Sequence, residues 1–135
     1  MTKDNEVKII NLQNFSDERG LLSVMTERNI GFEFSRVYFI KDVPKNTVRG
    51  DHAHVYSTQF LVCLSGECKI KINNGFKTTH VKLKDPKSGL LIPPMHWSEI
   101  VYNQKDTILL VLSSHDYDPA DYIHNYDEFK NRITE

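Results

Sequence analysis

Two histidines two residues apart stand in the stretch Arg49-Gly50-Asp51-His52-Ala53-His54, which is followed by Gln59 and Gly66. The surrounding valine, tyrosine, phenylalanine and leucine make this a β-strand, and strand side chains alternate with period two, so both imidazoles project from one face. An unperturbed imidazole titrates at about pH 6.5, so a pair in one pocket suits proton transfer near neutral pH, or metal ligation. Arg49 precedes the pair, Gln59 follows it, and Tyr38 lies on a neighbouring strand, so polar groups converge where a small ligand would sit. The plain alternative is that His52 and His54 are satisfied polar residues of a barrel interior.

Short β segments must hold these groups. Val7 to Leu12 alternates, Asp17-Glu18-Arg19-Gly20 has turn chemistry, and Leu21 to Met25 resumes, which predicts a strand-turn-strand unit. After Gly31, Phe32 to Ile40 is aromatic and β-branched, which predicts a strand with Phe34, Arg36 and Tyr38 on one face. A loop at Asp42-Val43-Pro44-Lys45-Asn46 then delivers the chain to the histidine strand. Thr58 to Leu64, Cys68 to Ile72, Lys77 to Leu83, Leu90 to Ile92, Trp97 to Tyr102 and Thr107 to Leu112 follow as strands. The turns between them include Ser65-Gly66-Glu67 and the strong hairpin signal Asn73-Asn74-Gly75. Strands recurring at about ten-residue spacing predict an all-β sandwich or barrel. In the tail, Asp118-Pro119-Ala120-Asp121 can open a helix, and Tyr122, Ile123, Tyr126, Phe129 and Ile133 keep helical spacing. One or two short C-terminal helices on the outside of the barrel are expected.

The chain has 135 residues, which predicts one domain over residues 1–135. Lysine and arginine total 17 against 18 for aspartate and glutamate, so no net field draws it to nucleic acid or to a membrane. The start, Met1-Thr2-Lys3-Asp4-Asn5-Glu6, is polar with no apolar run after it, so neither a signal peptide nor a membrane span is expected and the protein is assigned to the cytoplasm. Cys63 and Cys68 lack C-x-x-C spacing and would point to opposite faces of a continuous strand. Both are expected to be free thiols, with Cys63 in the core.

The spacing from His52 resembles the first motif of the cupins, a jelly-roll family in which His-x-His is followed by Glu and then Gly. Here the string is His52-Ala53-His54, Gln59, Gly66. The second motif is Ile92-Pro93-Pro94-Met95-His96-Trp97-Ser98, which puts Ser98 where metal cupins have their last ligand, two residues after His96. A transition metal wants three or more well-placed N, O or S ligands, and glutamine is a poor substitute for a carboxylate. A metal site therefore requires His96 to turn inward.

A fuller resemblance runs nearly end to end. Asp17-Glu18-Arg19-Gly20, Arg36-Val37-Tyr38, Arg49 to His54, Gln59 to Gly66, Trp97 with Glu99, Asp116-Tyr117-Asp118, Asp121-Tyr122-Ile123, Asn125-Tyr126-Asp127 and Phe129-Lys130 are similar to the WxcM-like sugar isomerases, the dTDP-4-keto-6-deoxy-glucose 3,4-ketoisomerases. The resemblance implies an all-β cupin jelly-roll barrel with short C-terminal helices, working on a dTDP-linked 4-keto-6-deoxy sugar with no cofactor and no metal. It implies that His52 is the acid/base that shuttles a proton through an enediolate, with His54 and Tyr38 as catalytic partners. Arg49, Arg19, Gln59, Trp97 and Ser98 are the implied substrate-binding residues. The product would feed 3-acetamido-3,6-dideoxy sugars of surface glycans, and the chain would be a homodimer with exchanged N-terminal strands, Val7 to Leu12 being the candidate.

Arg19 favours the galacto-forming branch of the family, while Ser98 stands where histidine or arginine is expected, so the galacto epimer is only slightly favoured over gluco. Val55-Tyr56 replaces residues that are often basic in relatives. Trp97 either lies along the substrate or packs in the core, and Glu99 either buttresses His96 or faces solvent. His80, His115 and His124 sit in polar stretches and receive no role. Two competing functions remain: a non-catalytic nucleotide-sugar-binding cupin and a metal-dependent cupin enzyme.

Overall fold

The computed structural model describes residues 5–134, so Met1 to Asp4 of the polar start lie outside the described residues. In chain order the strands are β1 (Lys8–Asn11), β2 (Gln13–Asp17), β3 (Gly20–Val24), β4 (Arg36–Ile40), β5 (Thr47–His54), β6 (Gln59–Ser65), β7 (Cys68–Asn73), β8 (Thr78–Leu83), β9 (Ser88–Ile92), β10 (Trp97–Tyr102), β11 (Ile108–Ser113) and β12 (Tyr122–Ile123). Helix α1 (Glu27–Ile30) follows β3, and α2 (Tyr126–Ile133) ends the described chain. One antiparallel sheet runs β1-β9-β6-β11-β4 and the other β12-β5-β10-β7-β8, with β2 and β3 paired as a separate hairpin. This is the all-β fold that the strand spacing predicts, arranged as the jelly roll that the resemblance implies.

The core between the sheets is built from inward-facing positions of both: Leu61, Cys63 and Val111 from one, Ile70, Ile72, Ile100 and Tyr102 from the other. Cys63 and Cys68 are both free and both buried here, because the turn at Ser65-Gly66-Glu67 separates β6 from β7 and breaks the alternation that a continuous strand would impose. Gly66 makes that turn at φ 77°, and a Cβ there would come within 2.6 Å of the Thr107 backbone.

Two smaller clusters cover the outer faces. Leu12, Ile30, Phe60, Val62, Leu91 and Leu112 pack together, with Phe32 and Phe34 against them, where α1 and its flanks lie on the first sheet. Phe34 therefore does not share the inner face with Tyr38: the strand begins only at Arg36, and the residues before it belong to a bend and to α1, which is capped by the Thr26 side chain and closed by Gly31. On the second sheet Ala53, Trp97, Ile123 and Phe129 form the other cluster.

The tail departs from its apparent periodicity. Pro119–Asp121 is a single 3-10 turn capped by Asp118, Tyr122 and Ile123 then pair with His54 and Ala53 as an edge strand, and only the segment capped by Asn125 is helical. The open edge of β5 captures Tyr122 and Ile123, and tertiary pairing outweighs a weak local preference.

Candidate active site

The histidine strand is not a regular strand. Pairing of β5 with β10 sets Ser98 opposite His52 but Glu99 opposite Gly50, which leaves Asp51 as the extra residue of a β-bulge. Gly50 and Asp51 both have positive φ, 81° and 59°. Strict alternation would put Arg49 and His52 on opposite faces. The bulge brings both onto the wall of one cavity of about 390 Å³, lined also by Arg36, Tyr38, Gln59, Ser98, Tyr102, Tyr117, Tyr122 and His124.

His52 Nδ1 donates to the Gly50 carbonyl at 3.0 Å, and because a carbonyl only accepts, the ring proton sits on Nδ1 and Nε2 carries a free lone pair. Burial, together with the neighbouring His54, lowers its pKa to about 4, so the ring is neutral at pH 7. The His54 ring stands edge-on behind it with centroids 5.1 Å apart. His54 is buried and its Nδ1 lies 2.8 Å from Asp121 Oδ2, while its Nε2 makes no hydrogen bond within the described chain. Burial holds His54 below the ordinary histidine value, although Asp121 opposes it.

Across the cavity the Gln59 amide donates to the Tyr38 hydroxyl at 3.1 Å, which leaves the phenolic proton free to point elsewhere. Burial raises the Tyr38 pKa, so the group is a neutral donor. The Arg36 guanidinium lies 4.9 Å over the Tyr38 ring and 5.9 Å from the Tyr117 ring. From the tail, Tyr122 packs against His54 at 4.5 Å and stacks on His124 with the rings 5° from parallel.

Of the residues singled out by the sequence, the fold thus brings together His52, His54, Tyr38, Arg49, Gln59 and Ser98. It does not bring in Trp97, which is 5% exposed in the outer cluster and meets Tyr126 and Phe129 on the side of β10 away from the cavity. Arg19 is at the tip of the β2–β3 hairpin, paired with Asp17 at 2.7 Å and away from the cavity of its own chain. His96 does not turn inward: its Nδ1 is held by the Pro93 and Pro94 carbonyls, and Glu99 faces Lys71 instead of His96. The donor set does not suit a metal, since Gln59 is neutral and committed to Tyr38, and His54 Nδ1 is committed to Asp121. His80 and His115 are exposed, but His124, given no role from the sequence, sits on the cavity wall. Arg36 also lines the cavity, and its shared strand face with Tyr38 and its place in the Arg36-Val37-Tyr38 motif are the signals for it in the sequence. Asp121 and Tyr122 stand in the resemblance motif Asp121-Tyr122-Ile123, but the helical spacing of the tail gives no sign that they pair with β5 beside His54.

The family model described as "FdtA: WxcM-like, C-terminal" matches residues 5–134. A TDP-4-oxo-6-deoxy-alpha-D-glucose-3,4-oxoisomerase of Aneurinibacillus thermoaerophilus is 39% identical over 129 residues, 95% of this chain and 93% of its own. The crystal structure of QdtA, a sugar 3,4-ketoisomerase from Thermoanaerobacterium thermosaccharolyticum in complex with TDP, is 35% identical with a TM-score of 0.92, covering 98% of this chain and 97% of its own. A histidine-to-asparagine mutant of QdtA is known in complex with TDP-4-keto-6-deoxyglucose. The TDP-quinovose 3,4-ketoisomerase WlaRB of Campylobacter jejuni is 40% identical with a TM-score of 0.88, covering 93% and 97%. With one model spanning nearly its whole length and the jelly roll shared with these enzymes, the chain is a cupin that belongs to the WxcM-like, C-terminal (FdtA) family.

Proposed function

We propose that this chain converts TDP-4-keto-6-deoxyglucose to the 3-keto isomer, with His52 carrying one proton from C3 to C4. The observation that carries this is a neutral His52 with a bare Nε2, set in the cavity wall beside Arg49 and across from Tyr38. The C4 carbonyl acidifies the hydrogen on C3. His52 Nε2 takes that proton, and the electron pair moves into a C3–C4 double bond with negative charge on the C4 oxygen. The proton on the C3 oxygen is then lost as the C3 carbonyl forms, the C4 oxygen gains one, and the His52 imidazolium returns its proton to C4. Atoms and charge balance without an external oxidant or reductant.

Arg49 and Arg36 supply fixed positive charge for the diphosphate or the enediolate, and their planar guanidinium groups suit both. Tyr38, its oxygen engaged by Gln59, offers its proton to a sugar oxygen. Ser98, opposite His52 on β10, replaces a larger basic side chain at the position taken to influence the face of protonation, and together with Arg19 it leaves galacto slightly favoured. The product would supply an aminotransferase and an N-acetyltransferase. No helix among the described residues is long and apolar enough to cross a membrane, which agrees with work on a soluble nucleotide sugar.

The test is incubation with TDP-4-keto-6-deoxyglucose followed by NMR of the sugar. Appearance of the 3-keto isomer at catalytic turnover supports the reading. Tight binding of TDP-sugar with no turnover would overturn it in favour of a nucleotide-sugar-binding cupin.

A further inference from the structure

The tail that closes β5 holds a buried carboxylate that the proton transfer between C3 and C4 leaves unexplained. Asp121 is 1% exposed, yet it is charged: burial alone would raise its pKa, but hydrogen bonds from Ser57, Tyr56 and His54 bring it below the ordinary carboxylate value. Its two oxygens do separate work. Oδ1 accepts the backbone N–H groups of Tyr56 at 2.8 Å and Ser57 at 3.2 Å, and Oδ2 faces His54 Nδ1 at 2.8 Å. The backbone confirms the same join, since Val55 N–H donates to the Asp121 carbonyl at 2.7 Å and Tyr122 pairs with His54. An ionised carboxylate accepts and never donates, so His54 must carry its proton on Nδ1 and leave Nε2 bare. That bare Nε2 is buried, has no partner among the described residues, and belongs to the ring that stands edge-on to His52.

We propose that Asp121 is a positioning residue of the proton shuttle: it locks His54 in the Nδ1–H tautomer, so that a lone pair stands ready beside His52 when that ring becomes an imidazolium. The inference rests on the reading of His52 as the proton carrier. His54 then carries no proton on its free nitrogen to repel the protonated His52, whose own two N–H groups stay on the Gly50 carbonyl and toward C4, and the Asp121 charge behind His54 offsets the positive charge. Other partners face His54, namely Tyr122 and His52 by their rings, but none of them supplies a hydrogen bond to Nδ1.

Asp121→Asn separates this role from simple packing. The amide is isosteric, and its one carbonyl oxygen is required by the two backbone N–H groups of Tyr56 and Ser57. Its NH2 therefore turns to His54 Nδ1, which must become the acceptor, and the ring proton moves to Nε2. Two readouts on the full chain decide the matter: 15N chemical shifts of His54 in the TDP complex, and kcat against KM for the sugar. The expected result is a switch of His54 from Nδ1–H to Nε2–H, kcat lower by about 100-fold, and KM and TDP affinity within about threefold of wild type. Retention of wild-type kcat would overturn the proposal, as would loss of kcat with the His54 tautomer unchanged. If the wild-type chain does not isomerise the sugar, the functional reading falls by itself, and the proposal falls with it if the spectrum also shows no Nδ1–H on His54.

Discussion

His52 works as a base only while it is neutral, and its surroundings keep it so. Desolvation and His54 both oppose protonation, while the Gly50 carbonyl holds the proton on Nδ1 and partly offsets them. Its value in the folded chain is lowered to about 4, so kcat/KM should stay flat from neutral pH down toward 5 and fall as the pH drops through about 4. The diphosphate of a bound substrate adds negative charge nearby, which raises the His52 pKa, so the acid limb of kcat should lie above that of kcat/KM. A pH–rate profile checks both, and a kcat/KM limb centred on the ordinary value of about 6.5 would contradict the electrostatics. At this scale the residue types were legible. Two histidines at i and i+2, with Arg49, Tyr38 and Gln59, could be assembled from spacing and family likeness. Trp97 could not be placed, because an aromatic in a strand looks the same from either face, and β10 turns it toward Phe129.

Among the elements, the bulge in β5 matters most, and it is where strict alternation fails. A regular strand would send Arg49 away from His52. The Gly50-Asp51 pair at positive φ inserts one residue and re-aims the charge. Such a bulge leaves only a faint mark in a sequence, a glycine followed by a residue that tolerates left-handed geometry. Gly50→Ala should therefore cost stability, on the order of 1–2 kcal/mol, because the new Cβ keeps the strained φ and lies 3.2 Å from the Ser98 carbonyl. Thermal denaturation together with kcat/KM checks this: both should fall, and kcat/KM should remain reduced at temperatures where the variant is fully folded. A variant with wild-type stability and activity would remove the bulge from the account. The tail shows a second failure of local pattern. Tyr122 and Ile123 fit a helix by spacing, but the unpaired edge of β5 offers them backbone hydrogen bonds, and that pairing delivers Asp121 to His54.

For the whole molecule, the all-β sandwich or barrel was readable because each strand was short, alternating and bounded by turn residues, whereas the jelly-roll arrangement and the partner surface were readable only from resemblance. The β2–β3 hairpin stands apart from both sheets with Phe15 and Leu22 exposed at 62% and 59%, and the edge strand β4 exposes Phe39 at 63%. Apolar groups so exposed on an edge and a free hairpin favour a second copy of the chain as their cover. In the single chain β1 pairs with β9 of its own fold. Sedimentation should give twice the chain mass for the wild type and the single-chain mass for Leu22→Asp combined with Phe39→Asp, and a monomeric wild type at micromolar concentration would contradict this. The central claim, that one histidine moves one proton, has a more direct test in deuterated water. The proton that reaches C4 is the one His52 took from C3 in the same turnover, so solvent enters only by exchange while the imidazolium lasts. The account predicts that protium from C3 is carried to C4 of the 3-keto product in a single turnover of wild-type protein, and for His52→Asn a loss of turnover on the order of 100-fold or more. Full deuterium at C4 from the first turnover, or activity surviving in His52→Asn, would contradict it.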